Sequence, residues 1–147
     1  MADINERRMA ALSQTRLARD GGPSLYDQLG GADALRRLVE TFYDIIEFEP
    51  EGAPLKRLHL LGHGIAHSRE EQFAFMSGFF GGPLLYAQKY GHSNVREMHA
   101  HVEIDEAAKE TWLRCMQTAL DRTQVPSEVA EKTMVYLRRV ATVLVNR

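Results

Sequence analysis

Apolar residues recur along this chain at intervals of three and four, with no convincing segment of strict alternation, so the pattern predicts helices. Ser24 opens SLYDQLGG, where its hydroxyl can cap a short helix that Gly30 and Gly31 stop. Asp33 is a candidate cap for a helix over Ala34–Phe48. In it Leu35, Leu38, Val39, Phe42, Ile45 and Ile46 form one apolar stripe. Tyr43 follows Val39 by one turn and borders that face. Pro50 to Pro54 breaks the helix. The next interval, LKRLHLLGHGIAHS, mixes leucines with His59, His63 and His67, and Gly62 and Gly64 argue against a long regular element there.

Ser68-Arg69-Glu70-Glu71 has the form of a capping box, so a helix is predicted to begin near Ser68. Phe75, Met76, Phe79 and Phe80 form its buried face, with Gln72 one turn before Met76. Gly81-Gly82-Pro83 stops it, and a shorter helix over about Leu84–Tyr90 ends at Gly91. Asp105 can cap a helix over Glu106–Arg122, with Trp112, Leu113, Met116, Ala119 and Leu120 inward. Pro126-Ser127 opens the last helix, where Val129, Thr133, Tyr136, Leu137, Val140, Ala141 and Leu144 keep a helical period. The fold class is all-α, with three or four substantial helices and two long irregular connections, which in compact domains often hold a ligand. Residues 1–23 read as a polar extension, flexible or partly helical, and 24–147 as one domain.

At 44% hydrophobic and 26% charged residues, the composition is that of an ordinary globular domain. A net charge of −2 and a pI near 6.3 argue against the basic face of a nucleic-acid binder. No apolar run reaches the length of a membrane span, and the arginines near the start interrupt any secretory signal. A single cysteine, Cys115, cannot form an internal disulfide. The expectation is a cytoplasmic protein without nucleic-acid or membrane partners.

Tyr43, Gln72 and Trp112 come from three predicted helices, each on or beside an apolar face. Singly, each reads as a satisfied core or boundary residue. Together they offer an O–H, an amide N–H and an indole N–H, a donor set suited to a small electron-rich ligand such as dioxygen. His92, His99 and His101 lie in a polar interval between helices, where His99 suits an axial ligand to a planar metal cofactor such as haem. His99-Ala100-His101 also resembles part of a zinc site, but a closed zinc site needs four ligands and no His-Glu-x-x-His helix is present. Without Cys-x-x-Cys-His, haem would be held non-covalently. Nucleophilic catalysis finds little support: Cys115 lies in a helix interior, no Gly-x-Ser-x-Gly occurs, and Ser68 reads as a helix cap.

Taken jointly, SLYDQLGG, ETFYDII, SREEQFAFMSGFFGGPLLY, YGH at Tyr90–His92, and VREMHA followed by WLRCM resemble the truncated 2-on-2 haemoglobins, group II, from about Ser24 to Asn146. The resemblance implies a truncated globin fold around haem b. It makes His99 the proximal ligand of the iron, and Tyr43 and Trp112 distal donors. Gln72 matches a ligand-facing position, Ser68 the usually small residue one turn earlier, and His59 a position facing the haem. Phe42, Phe75 and Phe80 are expected at the porphyrin edge, and Arg96 matches a basic position that can pair with a propionate. Three departures stand out. His101-Val102 replaces the usual Pro-Phe, Met98 replaces a frequent Arg, and His59–His67 is longer and richer in His than expected, making Leu60 and His63 rivals of His59. His101 thereby becomes a competing ligand.

The expected function is reversible binding of O2, CO and NO with slow release. The resemblance also allows NO dioxygenation, sensing or peroxidase-like turnover supported by an external reductase, and a homodimer. One alternative closes the sixth iron position with His59, His63 or His67, for electron transfer or redox sensing. Others are a haem-free helical regulatory domain and a zinc protein using His99 and His101.

Overall fold

Among the described residues the regular structure is entirely helical, as the periodicity predicted. The computed structural model describes residues 22–92, 94, 96, 99 and 102–147. Most of the extension over 1–23, the departure at Met98 and the competing ligand His101 lie outside them. Helix α1 is Leu25–Leu29, capped by Ser24, whose Oγ accepts from the Asp27 N–H at 3.1 Å, and closed by Gly30 at φ 111°. Helix α2, Gly31–Phe48, begins three residues before the predicted Ala34 and buries the whole stripe from Leu35 to Ile46.

Two expectations about the middle of the chain are corrected. The His-bearing interval is more regular than its glycines suggested. After a 3-10 turn over Pro50–Gly52, helix α3 runs Ala53–Leu61. Pro54 falls in its first turn, where the missing N–H has no partner to lose, and Gly62 ends it. Helix α4 then starts at Ile65, not near Ser68. Ser68 is no cap: its Oγ donates back to the Gly64 carbonyl at 2.9 Å. Burial of Ile65 favours the earlier start, and Gly64 at φ 89° supplies the left-handed turn before it.

Helix α4 ends at Phe79, α5 spans Leu85–Tyr90 and stops at Gly91, and α6 spans Glu106–Arg122 as predicted. The Asp105 carboxylate caps α6 by accepting from the Ala108 N–H at 2.8 Å. Helix α7 is Ser127–Leu144.

The chain divides into two compact units. One combines the chain up to Arg36 with Glu70–Asn94. In it the Tyr26 N–H donates to the Phe80 carbonyl at 2.8 Å, and the Tyr26 ring lies where a Cβ on Gly82 would be. Arg36 lies 3.9 Å above the Phe73 ring and pairs with Glu70. The other unit combines Arg37–Arg69 with Val95–Arg147. There α6 packs on α7, α3 and the 3-10 turn around Leu113, Met116, Leu120 and Leu137. Gly52 lies so close to the Ile46 backbone that any side chain would overlap it.

Candidate functional site

In the second unit α2 carries Phe42 and Tyr43, both buried, and α3 and α6 bring His59 and Trp112 to them. The Tyr43 ring stands edge-on to Phe42 at 5.0 Å and to His59 at 5.4 Å. Trp112, half-buried, meets the Phe42 ring at 5.0 Å. Phe42 therefore touches both expected distal donors. Burial pushes the Tyr43 phenol well above its ordinary range, partly opposed by the positive charge of Arg69. The phenol stays neutral and remains a donor.

His59 adds a detail that sequence could not supply. Its Nδ1 lies 2.8 Å from the Leu55 carbonyl oxygen. A carbonyl only accepts, so Nδ1 carries the hydrogen. Burial also lowers the pKa of the ring, against the pull of that hydrogen bond. The neutral ring then exposes a lone pair at Nε2, making it an acceptor or a metal ligand but not a donor.

Arg69 was not anticipated. It pairs with Glu40 at 2.6 Å, and with Asp44 and Glu47 at 2.9 Å each, and its guanidinium lies 5.9 Å from the Tyr43 ring. The available signal was three carboxylates at i, i+4 and i+7 on α2, one helical face seeking a cation. The carboxylates hold the Arg69 pKa up although burial opposes it.

His99 is helical and half-buried, and its carbonyl accepts from the Val102 N–H at 3.1 Å. Arg96 is helical and exposed. Ser68 is half-buried with its hydroxyl turned to Gly64. His63 and His67 are exposed, their rings 5.4 Å apart. In the first unit Gln72 is half-buried on α4, Phe80 is fully buried, and Phe75 stacks on Phe79 at 5.5 Å. The structure thus brings together Phe42, Tyr43, His59 and Trp112, with Arg69 beside Tyr43, and places Gln72, Phe75 and Phe80 in the other unit.

Among the described residues no group of three or more His, Cys, Asp or Glu could hold a metal ion. The Tyr43 phenol and the Trp112 indole are neutral donors among aromatic rings, and the one charge beside Tyr43, that of Arg69, is held by three carboxylates. That chemistry fits a planar apolar macrocycle and an uncharged ligand better than a bare cation.

Described residues whose regular structure is all helical, with such a cluster and a helical imidazole at His99, have the make-up of a haem-binding globin. The sequence profile of the bacterial-like globin family matches residues 24–146, and the chain belongs to that family. It is 28% identical over 117 residues to group 2 truncated hemoglobin YjbI of Bacillus subtilis, covering 80% of this chain and 85% of that one. Its fold is that of a cold-adapted truncated hemoglobin from Pseudoalteromonas haloplanktis, with TM-score 0.78, 29% identity, and 85% and 99% of the two chains covered. A group II 2-on-2 hemoglobin from Agrobacterium tumefaciens gives TM-score 0.78 at 28% identity, with 85% and 95% covered. The expected family and the all-α truncated globin fold are therefore borne out, and the family implies a haem cofactor and haem-based ligand binding.

Proposed function

We propose that this chain is a haem b protein that reversibly binds O2, CO and NO and releases them slowly through a polar distal network. The observation that carries the reading is the buried, neutral Tyr43 phenol against Phe42 and His59, with Trp112 packed on the same Phe42 ring. Haem, when bound, supplies an iron that takes a diatomic ligand. His99 is the residue that holds the iron. The Tyr43 O–H and the Trp112 N–H serve as donors to the ligand, and donors aimed at developing negative charge slow its escape. Phe42 packs against both rings. Arg69, held by its three carboxylates, keeps the Tyr43 ring in place. By resemblance, Gln72 and Ser68 face the ligand, Phe75 and Phe80 border the porphyrin, and Arg96 pairs with a propionate. Any turnover of NO or peroxide draws electrons from an external reductase.

The test is the visible spectrum of haem-loaded protein, ferric and then reduced with CO, for wild type and His99→Ala. A strong Soret band with a CO complex in wild type, altered or lost in the variant, supports the reading. A wild type that takes up no haem sinks it.

The lone pair at His59 Nε2 favours one second reading, in which this nitrogen occupies the sixth position of the iron for redox sensing or electron transfer. A ferric spectrum that is low-spin in wild type and high-spin in His59→Ala would establish it.

A further inference from the structure

Asn146 does something that the globin assignment leaves unexplained. Just beyond α7, it meets the short segment between His99 and α6 through three hydrogen bonds. Its side-chain oxygen accepts from the Ile104 N–H at 2.8 Å, and its side-chain amide donates to the Val102 carbonyl at 3.0 Å. Its own backbone N–H donates to the Ile104 carbonyl at 2.9 Å. Arg147 adds an ion pair with Glu103. The segment so gripped is tied at both ends: the Val102 N–H donates to the His99 carbonyl, and Asp105 caps the helix that carries Trp112. An amide side chain can satisfy one backbone donor and one backbone acceptor at once through two separate atoms, which an ionised carboxylate cannot.

We infer that Asn146 is a positioning residue for His99. It fixes Val102, whose N–H is bonded to the His99 carbonyl, and so restricts the tilt and reach of the ring toward the metal. This rests on the proposed role of His99 as proximal ligand. A helical imidazole whose following residues are free to slide would sample several iron–nitrogen geometries; one tied through Val102 and Ile104 samples few.

The experiment compares reduced, haem-loaded wild type with Asn146→Ala and with Asn146→Asp, which keeps the acceptor for Ile104 but loses the donor to Val102. The expected result is a shifted and broadened iron–histidine stretching band in the resonance Raman spectrum of Asn146→Ala, and a smaller change in Asn146→Asp. Haem transfer to an apo-globin acceptor should quicken roughly tenfold in Asn146→Ala, in keeping with loss of two hydrogen bonds. His99→Gly is then made alone and together with Asn146→Ala, with imidazole supplied as a free ligand. There the axial base no longer hangs from the backbone, so Asn146→Ala should leave the band unmoved. A merely structural role would lower the unfolding midpoint in both Asn146 variants and leave the band of each where wild type has it, and that result overturns the inference. So does an equal shift in the imidazole-supplied pair. If His99→Gly keeps a protein-derived axial band without imidazole, the role of His99 itself falls, and this inference with it.

Discussion

Tyr43 owes its usefulness to being kept from ionising. Burial dominates over the pull of Arg69, so the group remains an O–H donor across the whole accessible pH range. In Tyr43→Phe, O2 dissociation measured by stopped flow should quicken about 10- to 100-fold, the loss of a hydrogen bond of about 1.5–3 kcal/mol to a charged acceptor. An unchanged rate would remove Tyr43 from the ligand's surroundings. His59 carries the pH dependence. Its folded pKa lies below the ordinary 6.5, so on acidification the unfolded chain takes up the proton first. Its contribution to stability is therefore intact above pH 6.5 and lost progressively as pH falls below it. Denaturant titrations at several pH values should show this slope in wild type and a shallower one in His59→Asn. Cys115, pushed up to about 11 mainly by burial and then by Glu51, should resist a thiol reagent at neutral pH until the protein is unfolded. At this scale the sequence revealed Tyr43 and Trp112 through their place on apolar faces. It could not reveal the His59 tautomer, which depends on one carbonyl four residues back.

The helices with strong end signals were legible: Ser24 and Asp105 cap as their residue types predict, and α6 has the bounds its pattern indicated. Local chemistry misled at Ser68, where a capping-box pattern lost to the burial of Ile65 one turn earlier. Helix α3 was hidden because its glycines punctuate its end and not its interior. Two tests belong to this scale. Arg69→Met leaves Glu40, Asp44 and Glu47 without their shared cation along one face of α2, and should cost about 1–3 kcal/mol in denaturant unfolding. Added salt should return part of that loss by screening the carboxylates. Gly52→Ala should cost a similar 1–3 kcal/mol, because the new Cβ forces the 3-10 turn off the end of α2 and carries α3 away with it. A neutral effect on the unfolding midpoint would show that this close approach is easily relaxed.

For the molecule as a whole, the family and the fold were legible in the order and spacing of several short motifs, none sufficient alone. The grip of Asn146 was not, since it joins residues more than forty positions apart. A ligand bound only by the folded state adds stability with its concentration, about 2.7 kcal/mol at a hundredfold excess over its dissociation constant. Haem-loaded protein should accordingly melt roughly 5–10 °C above the haem-free chain, by the usual relation for a domain of this size. His99→Ala should lose most of the difference. The chain has one tryptophan, and it stands against Phe42 within the proposed ligand-binding cluster. Its emission overlaps the absorption of haem, so the bound cofactor drains the excited indole by energy transfer before it can fluoresce. Trp112 is thus an optical gauge built into the protein: dark when loaded, bright when empty, able to time the arrival and departure of haem without any added dye.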